Sequence, residues 1–184
     1  MGNLLMTYKD ELTKQMQELA KNSMVRFLGY NTRYGHQFNS TLKGCEESCI
    51  EMPVAENLIM GVAMGMSLEG YRPVVCIERM DFLWVCADAI VNHLDKARKL
   101  GWPPLNVIIR TCVGCNTPLD PGVQHQGDYY GIWETLLDEV VVTNLLVPAE
   151  IAPTYEAAIK HEGPVMVVEY RDKYAVPHSS HGVK

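Results

Sequence analysis

Apolar and polar positions alternate between two periods along this chain. Short apolar runs at residues 25–29, 48–51, 74–77, 105–110, 139–143 and 164–169 read as strands. The run LNVIIR, at 105–110, is continuous, as expected of a strand buried on both faces of a parallel sheet. Between the runs, helical spacing takes over. Residues 7–22 form an amphipathic helix, with Thr7 as cap and Leu12, Met16 and Leu19 on one face. A second helix begins at Ala55 and carries Leu58, Ile59, Val62, Ala63 and Met66. A third is predicted over 82–100, with Val85, Ala89, Leu94 and Ala97 facing inward. The last runs over 148–161, Pro148 being tolerated in its first turn. Residues 31–44 and 112–128 read as loops. The alternation predicts an α/β fold: a doubly wound, mostly parallel sheet of about six strands flanked by helices. No repeat or linker interrupts it, so residues 1–184 are expected to form a single domain with a loose tail over 177–184.

The stretch EMPVAENLIMGVAMGMSLEGYRPVV, residues 51–75, organises the rest. Pro53 keeps its predecessor extended, so no helix starts before it. Gly61 and Gly65 lie one turn apart, leaving a nearly bare helix face that a second helix or subunit could approach. Gly70 reads as the helix stop and Arg72-Pro73 as the turn into the next strand. Glu56 stands in the first turn of this apolar helix. It is either a solvated acid favoured by the helix dipole or an acid that something uses.

Bulk properties narrow the class. A chain of 184 residues can bury one full core, and 47% hydrophobic with 21% charged residues is ordinary for a globular domain. The net charge of -6 argues against nucleic acid or an anionic membrane as partner. No apolar run approaches the ~20 residues of a membrane span. MGNLLMTYKD lacks the pattern of a signal peptide, so a cytoplasmic protein is expected. Six cysteines include Cys45 with Cys49, and Cys112 with Cys115 in a C-x-x-C. Two such pairs could build a zinc site or a redox pair; the alternative is free thiols, with Cys76 and Cys86 in the core.

Several separated motifs, in order along nearly the whole chain, carry a resemblance. They are the 51–75 stretch, Asp81-Phe82-Leu83 with Asp88-Ala89-Ile90-Val91-Asn92-His93, Arg110-Thr111-Cys112-Val113-Gly114 with Gln124-His125-Gln126, and Gly163-Pro164-Val165 through Glu169-Tyr170. Together they resemble the thiamine-diphosphate pyrimidine-binding domain of the transketolase family, in particular the N-terminal domain of 2-oxoacid (pyruvate and branched-chain) dehydrogenase beta subunits. The resemblance implies roles. Glu56 matches a glutamate that hydrogen-bonds the pyrimidine ring nitrogen, favouring the imino tautomer and so promoting ylide formation. Phe82 matches an aromatic that stacks on that ring. His125 matches a histidine at the reactive end of the cofactor, where it binds a substrate carboxylate or transfers a proton. Without the resemblance, Phe82 reads equally as core and His125 as an exposed loop residue. His36, His161, His178 and His181 lack comparable context.

Departures from the pattern shape the expectation. The family holds the diphosphate and its metal through a Gly-Asp-Gly motif and a later asparagine. Here Gly127-Asp128 is followed by Tyr129, so no metal ligands are expected. Tyr30 stands where the family often has an acid, and CNTPLDPGV replaces a glycine-rich loop. The family's beta subunits also continue into a C-terminal domain beyond the stretch matched here. The implied protein is a pyrimidine-binding subunit of a split enzyme acting on a 2-oxoacid or ketose. Thiamine diphosphate would be shared with a diphosphate-binding subunit resembling the dehydrogenase alpha subunit, which would hold the magnesium. A hetero-oligomer such as a heterotetramer is expected. The alternatives are a transketolase-type transferase subunit and a non-catalytic subunit that kept the fold.

Overall fold

The apolar runs pair into one sheet. Its strands are β1 (Val25–Gly29), β2 (Cys49–Glu51), β3 (Arg72–Ile77), β4 (Ile108–Val113), β5 (Val141–Asn144) and β6 (Val165–Tyr170). They lie in the order β2-β1-β3-β4-β6-β5, and every neighbouring pair is parallel. The helices are α1 (Tyr8–Ala20), α2 (Glu56–Leu68), α3 (Tyr130–Leu136) and α4 (Ile151–Lys160). This computed structural model describes residues 6–117 and 120–177. No helix among them is long and apolar enough to cross a membrane.

Side chains alternate across each strand, so one sequence run feeds two cores. Phe27, Val74, Cys76, Ile108 and Val167 join Tyr8, Leu12 and Met16 of α1 and Ile151 and Tyr155 of α4. Leu28, Val75, Ile77, Ile109 and Val168 pack on the other face against Ile59, Met60 and Ala63 of α2, with Leu83, Ile90 and Trp133. Thr7 caps α1 in a reciprocal box: its Oγ1 accepts from the Asp10 N–H at 3.2 Å, and the Asp10 carboxylate accepts from the Thr7 N–H at 2.8 Å.

Several boundaries differ from the sequence reading. The third helix is not one α-helix. Residues Met80–Cys86 form a 3₁₀ helix and Ala89–Leu94 a π-helical stretch. Met80, Leu83 and Cys86 are buried at three-residue intervals, the 3₁₀ repeat, and the wider π turn brings Ile90 and Leu94 back into phase. Val85 therefore faces outward, 60% exposed, rather than inward. Strand β4 begins three residues later than expected, because Leu105 and Val107 are buried before pairing starts at Val74 opposite Ile108. Helix α3 was not foreseen. It buries only Trp133 and leaves Ile132 and Leu136 half exposed, so no apolar stripe marks it. The expected loose tail begins at Pro177 with a bridge to Thr7; its remainder, 178–184, lies outside the described residues.

One ion pair sits inside the α1 core. Arg110 of β4 donates to both carboxylate oxygens of Glu169 of β6, from Nε at 2.5 Å and Nη2 at 3.0 Å, with both side chains fully buried. The Tyr155 and Tyr174 hydroxyls donate to the same carboxylate at 2.8 Å each, and Arg110 Nη2 also donates to Thr41 Oγ1 at 2.7 Å. Burial works against the guanidinium charge, but Glu169 together with Tyr155 and Tyr174 outweighs it and holds Arg110 well above its ordinary value. Burial and the same carboxylate push both tyrosines up. Phe38 lies over the guanidinium at 4.4 Å. It belongs to a left-handed turn, Gln37 to Ser40, whose four residues have φ between 46° and 65°. Such geometry costs about 1–2 kcal/mol per residue, so burial of Phe38 and the Arg110–Thr41 bond must hold it.

Candidate functional site

From β1 the chain moves outward to β2, and from β3 it moves the other way to β4. The loops leaving the C-terminal ends of β1 and β3 therefore diverge. In open α/β sheets this is where ligands bind. A cavity of about 200 Å³ lies there, lined by Tyr30 after β1, Ile77 and Glu78 at the end of β3, Val54 and Glu56 at the start of α2, and Phe82.

Glu56 is the first residue of α2. Its helix has no side-chain cap, because Ala55 occupies the cap position, and the carboxylate is favoured there by the helix dipole. Among the described residues Glu56 has no hydrogen-bond partner and is partly buried. Its charge is felt by Cys86, whose thiol burial, then Glu56, push up to about 12. A partly buried, unpartnered carboxylate in an apolar mouth is suited to sharing a proton with a ligand.

The structure also brings Phe82 and His125 together. Their rings meet edge to face with centroids 5.3 Å apart. His125 closes a short 3₁₀ turn, Val123–His125, in the loop after β4. Its Nδ1 lies 2.7 Å from the carbonyl oxygen of Gln124. A carbonyl only accepts, so Nδ1 carries a proton and donates it there, which leaves Nε2 as the ring nitrogen without a partner in this contact. Gly114, at the exit of β4, packs so tightly that a Cβ there would overlap the His125 carbonyl oxygen, and only glycine fits. Thus Glu56, Phe82 and His125, far apart in sequence, converge on the end of the sheet where the cavity opens.

Other residues of the site carried no sequence signal. Glu78 adds a second carboxylate to the cavity, with its oxygens 3.3 Å from His36 Nε2 and 3.8 Å from Arg79 Nη2. His36, set aside on sequence grounds, is thus brought to the rim of the site. Glu51 shapes the loop after β1: its carboxylate accepts the backbone N–H groups of Asn31, Thr32, Arg33 and Tyr34 at 2.6, 3.0, 2.8 and 3.3 Å. The one available hint was an acid at the end of a strand facing a polar loop.

The cysteine pairs form no cluster. All six thiols are free, and among the described residues no group of three or more His, Cys, Asp or Glu side chains could hold a metal ion. Burial pushes Cys45 up to about 11, and burial with the Glu169 charge pushes Cys112 up to about 12, which disfavours the thiolate that binding or redox chemistry needs.

Comparison with known proteins places this geometry. Residues 6–177 match the family described as transketolase, pyrimidine binding domain. The chain is 28% identical over 129 residues to the beta subunit of acetoin:2,6-dichlorophenolindophenol oxidoreductase of Bacillus subtilis (strain 168), covering 68% of this chain and 36% of that protein. It is 24% identical over 185 residues to the 2-oxoisovalerate dehydrogenase subunit beta of the same organism, covering 92% and 54%. Among solved structures, a split gene transketolase, described as an inactive beta4 tetramer, superposes with a TM-score of 0.73 at 22% identity, covering 94% of this chain and 53% of that one. The chain thus spans about half, or less, of the length of these relatives. Since the family match runs over residues 6–177 of 184, the chain belongs to the transketolase pyrimidine-binding domain family.

Proposed function

We propose that this chain is the pyrimidine-binding subunit of a split thiamine-diphosphate-dependent enzyme acting on a 2-oxoacid or ketose. The observation that carries the reading is the convergence of unpartnered Glu56 with Phe82 and His125 at the switch point of the sheet. Glu56 would hold the pyrimidine ring nitrogen and share its proton, and Phe82 would offer the ring an aromatic face. Nε2 of His125 would accept or return a proton beside the substrate. When bound, the cofactor would supply a nucleophilic carbon for the substrate carbonyl.

The residues present fit the pyrimidine end alone. The sequence holds no Gly-Asp-Gly, and no metal-binding cluster stands among the described residues. In this reading the diphosphate and its magnesium would be held by a second chain, of the kind the dehydrogenase alpha subunits represent. Isolated, this chain is expected to bind thiamine diphosphate weakly or not at all in the presence of magnesium. Titration calorimetry checks this, and tight binding by the isolated chain would sink the split-site reading.

Helix α2 offers the face on which that partner would dock. Leu58 and Leu68 are about half exposed, at 52% and 47%, and a Cβ added at Gly61 or Gly65 meets no atom within 4 Å. Gly61→Leu is thus expected to leave the isolated fold intact and to weaken assembly alone, since overpacking a close contact costs about 1–3 kcal/mol per site. Sedimentation of the variant with and without its partner separates the two effects.

A further inference from the structure

The segment that carries Phe82 and the loop that carries His125 are tied together at one carboxylate. Asp81 Oδ1 accepts the backbone N–H of Gly127 at 3.2 Å and lies 3.5 Å from the Tyr129 hydroxyl. Its other oxygen, Oδ2, is buried with no hydrogen-bond partner. The histidine loop is therefore held at two points around His125, and beyond them the Tyr129 N–H reaches Met80 Sδ at 3.4 Å. At one, the His125 carbonyl presses on Gly114 at the end of β4; at the other, the Gly127 N–H rests on Asp81. Between those points the imidazole is turned by its own Nδ1–H to Gln124 and meets the edge of Phe82.

We infer that Asp81 is a positioning residue: it fixes the imidazole of His125 against Phe82 and so sets where Nε2 stands in the crevice. The position immediately before Phe82 makes this possible, because a movement of the histidine loop away from the site would have to break the Gly127 bond. The bare Oδ2 is a liability for stability, since a buried acceptor without a partner is costly, so the carboxylate is not there to tighten the fold. The chemical importance of the placement rests on the function proposed above; the placement itself does not.

Nuclear magnetic resonance of the full chain with labelled histidine tests it. His125→Gln assigns the ring resonances, and Phe82→Leu records where they fall without the neighbouring aromatic ring. Asp81→Ala is expected to move the His125 signals to their Phe82→Leu positions. Asp81→Asn, which keeps the Oδ1 acceptor, should restore the wild-type positions. His36 and His161 should not shift in either variant. The inference is overturned if Asp81→Ala leaves His125 at its wild-type position, or if Asp81→Asn displaces it as Asp81→Ala does. Should Asp81→Ala fail to fold, Asp81→Leu, similar in shape and without an acceptor, takes its place. If both fail while Asp81→Asn folds, Asp81 is a folding determinant and the positioning role is wrong. None of these readings uses the cofactor, so a failure of the catalytic assignment would be seen separately, in the behaviour of Glu56.

Discussion

Glu56→Gln, in the split enzyme proposed above, is expected to slow hydrogen–deuterium exchange at the thiazolium carbon by about 10²–10⁴-fold, the usual cost of losing a proton-transfer role. Glutamine keeps the size of the side chain and can still hydrogen-bond, but it cannot offer a carboxylate to the ring nitrogen. Cofactor retention should change little, because the proposed partner would hold the diphosphate. The position tolerates the change structurally: Glu56 has no hydrogen-bond partner to lose. Phe82→Ala should behave in the opposite way, weakening retention of the cofactor more than it slows exchange. Exchange at the wild-type rate in Glu56→Gln would make Glu56 a helix-start acid and nothing more.

Glu169→Gln is expected to destabilise the isolated chain by about 3–5 kcal/mol, because it leaves the Arg110 guanidinium buried without its counter-charge. That is a large part of the ~5–15 kcal/mol that stabilises a domain of ordinary size. Denaturant unfolding should show a lower midpoint with an unchanged slope. Replacing both partners by apolar residues, as in Arg110→Met with Glu169→Leu, should recover only part of the loss. The Tyr155 and Tyr174 hydroxyls would then be buried without acceptors, at about 1–3 kcal/mol each. The same substitutions release Phe38 and Thr41, so the left-handed turn at 37–40 should be the first region to gain hydrogen exchange. A Glu169→Gln chain as stable as the wild type would show that the pair is dispensable.

What could be read from the sequence was what local pattern encodes. Short apolar runs marked all six strands, most plainly at β4, because a strand buried on both faces is apolar along its length. Pro53 and Gly70 marked ends, because their backbones cannot continue a helix or do so poorly. Glu56 stood out as an acid in an apolar helix start, and the resemblance singled out Phe82 and His125. Where burial did not follow an α-helical period, the pattern misled. Between Met80 and Leu94 the chain buries residues first every three positions and then across a π turn, so Val85 was placed on the wrong face. Helix α3 was missed because it buries a single side chain.

Tertiary structure alone decided the rest. Strand order is a relation between distant segments, and only the order β2-β1-β3-β4-β6-β5 creates the crevice between the ends of β1 and β3. Glu78, His36 and Asp81 gained their places because loops from different strands meet there. Arg110 and Glu169 looked like ordinary charges at strand ends until the parallel register of β4 and β6, with Arg110 opposite Val167, brought the two side chains together diagonally on one buried face. The sequence by itself determined which segments are strands or helices and which acid opens the second helix, since hydrophobic period and backbone restriction are local properties. The neighbours of each charged group were set only by the folded chain, because a contact between distant residues has no period for a sequence to display.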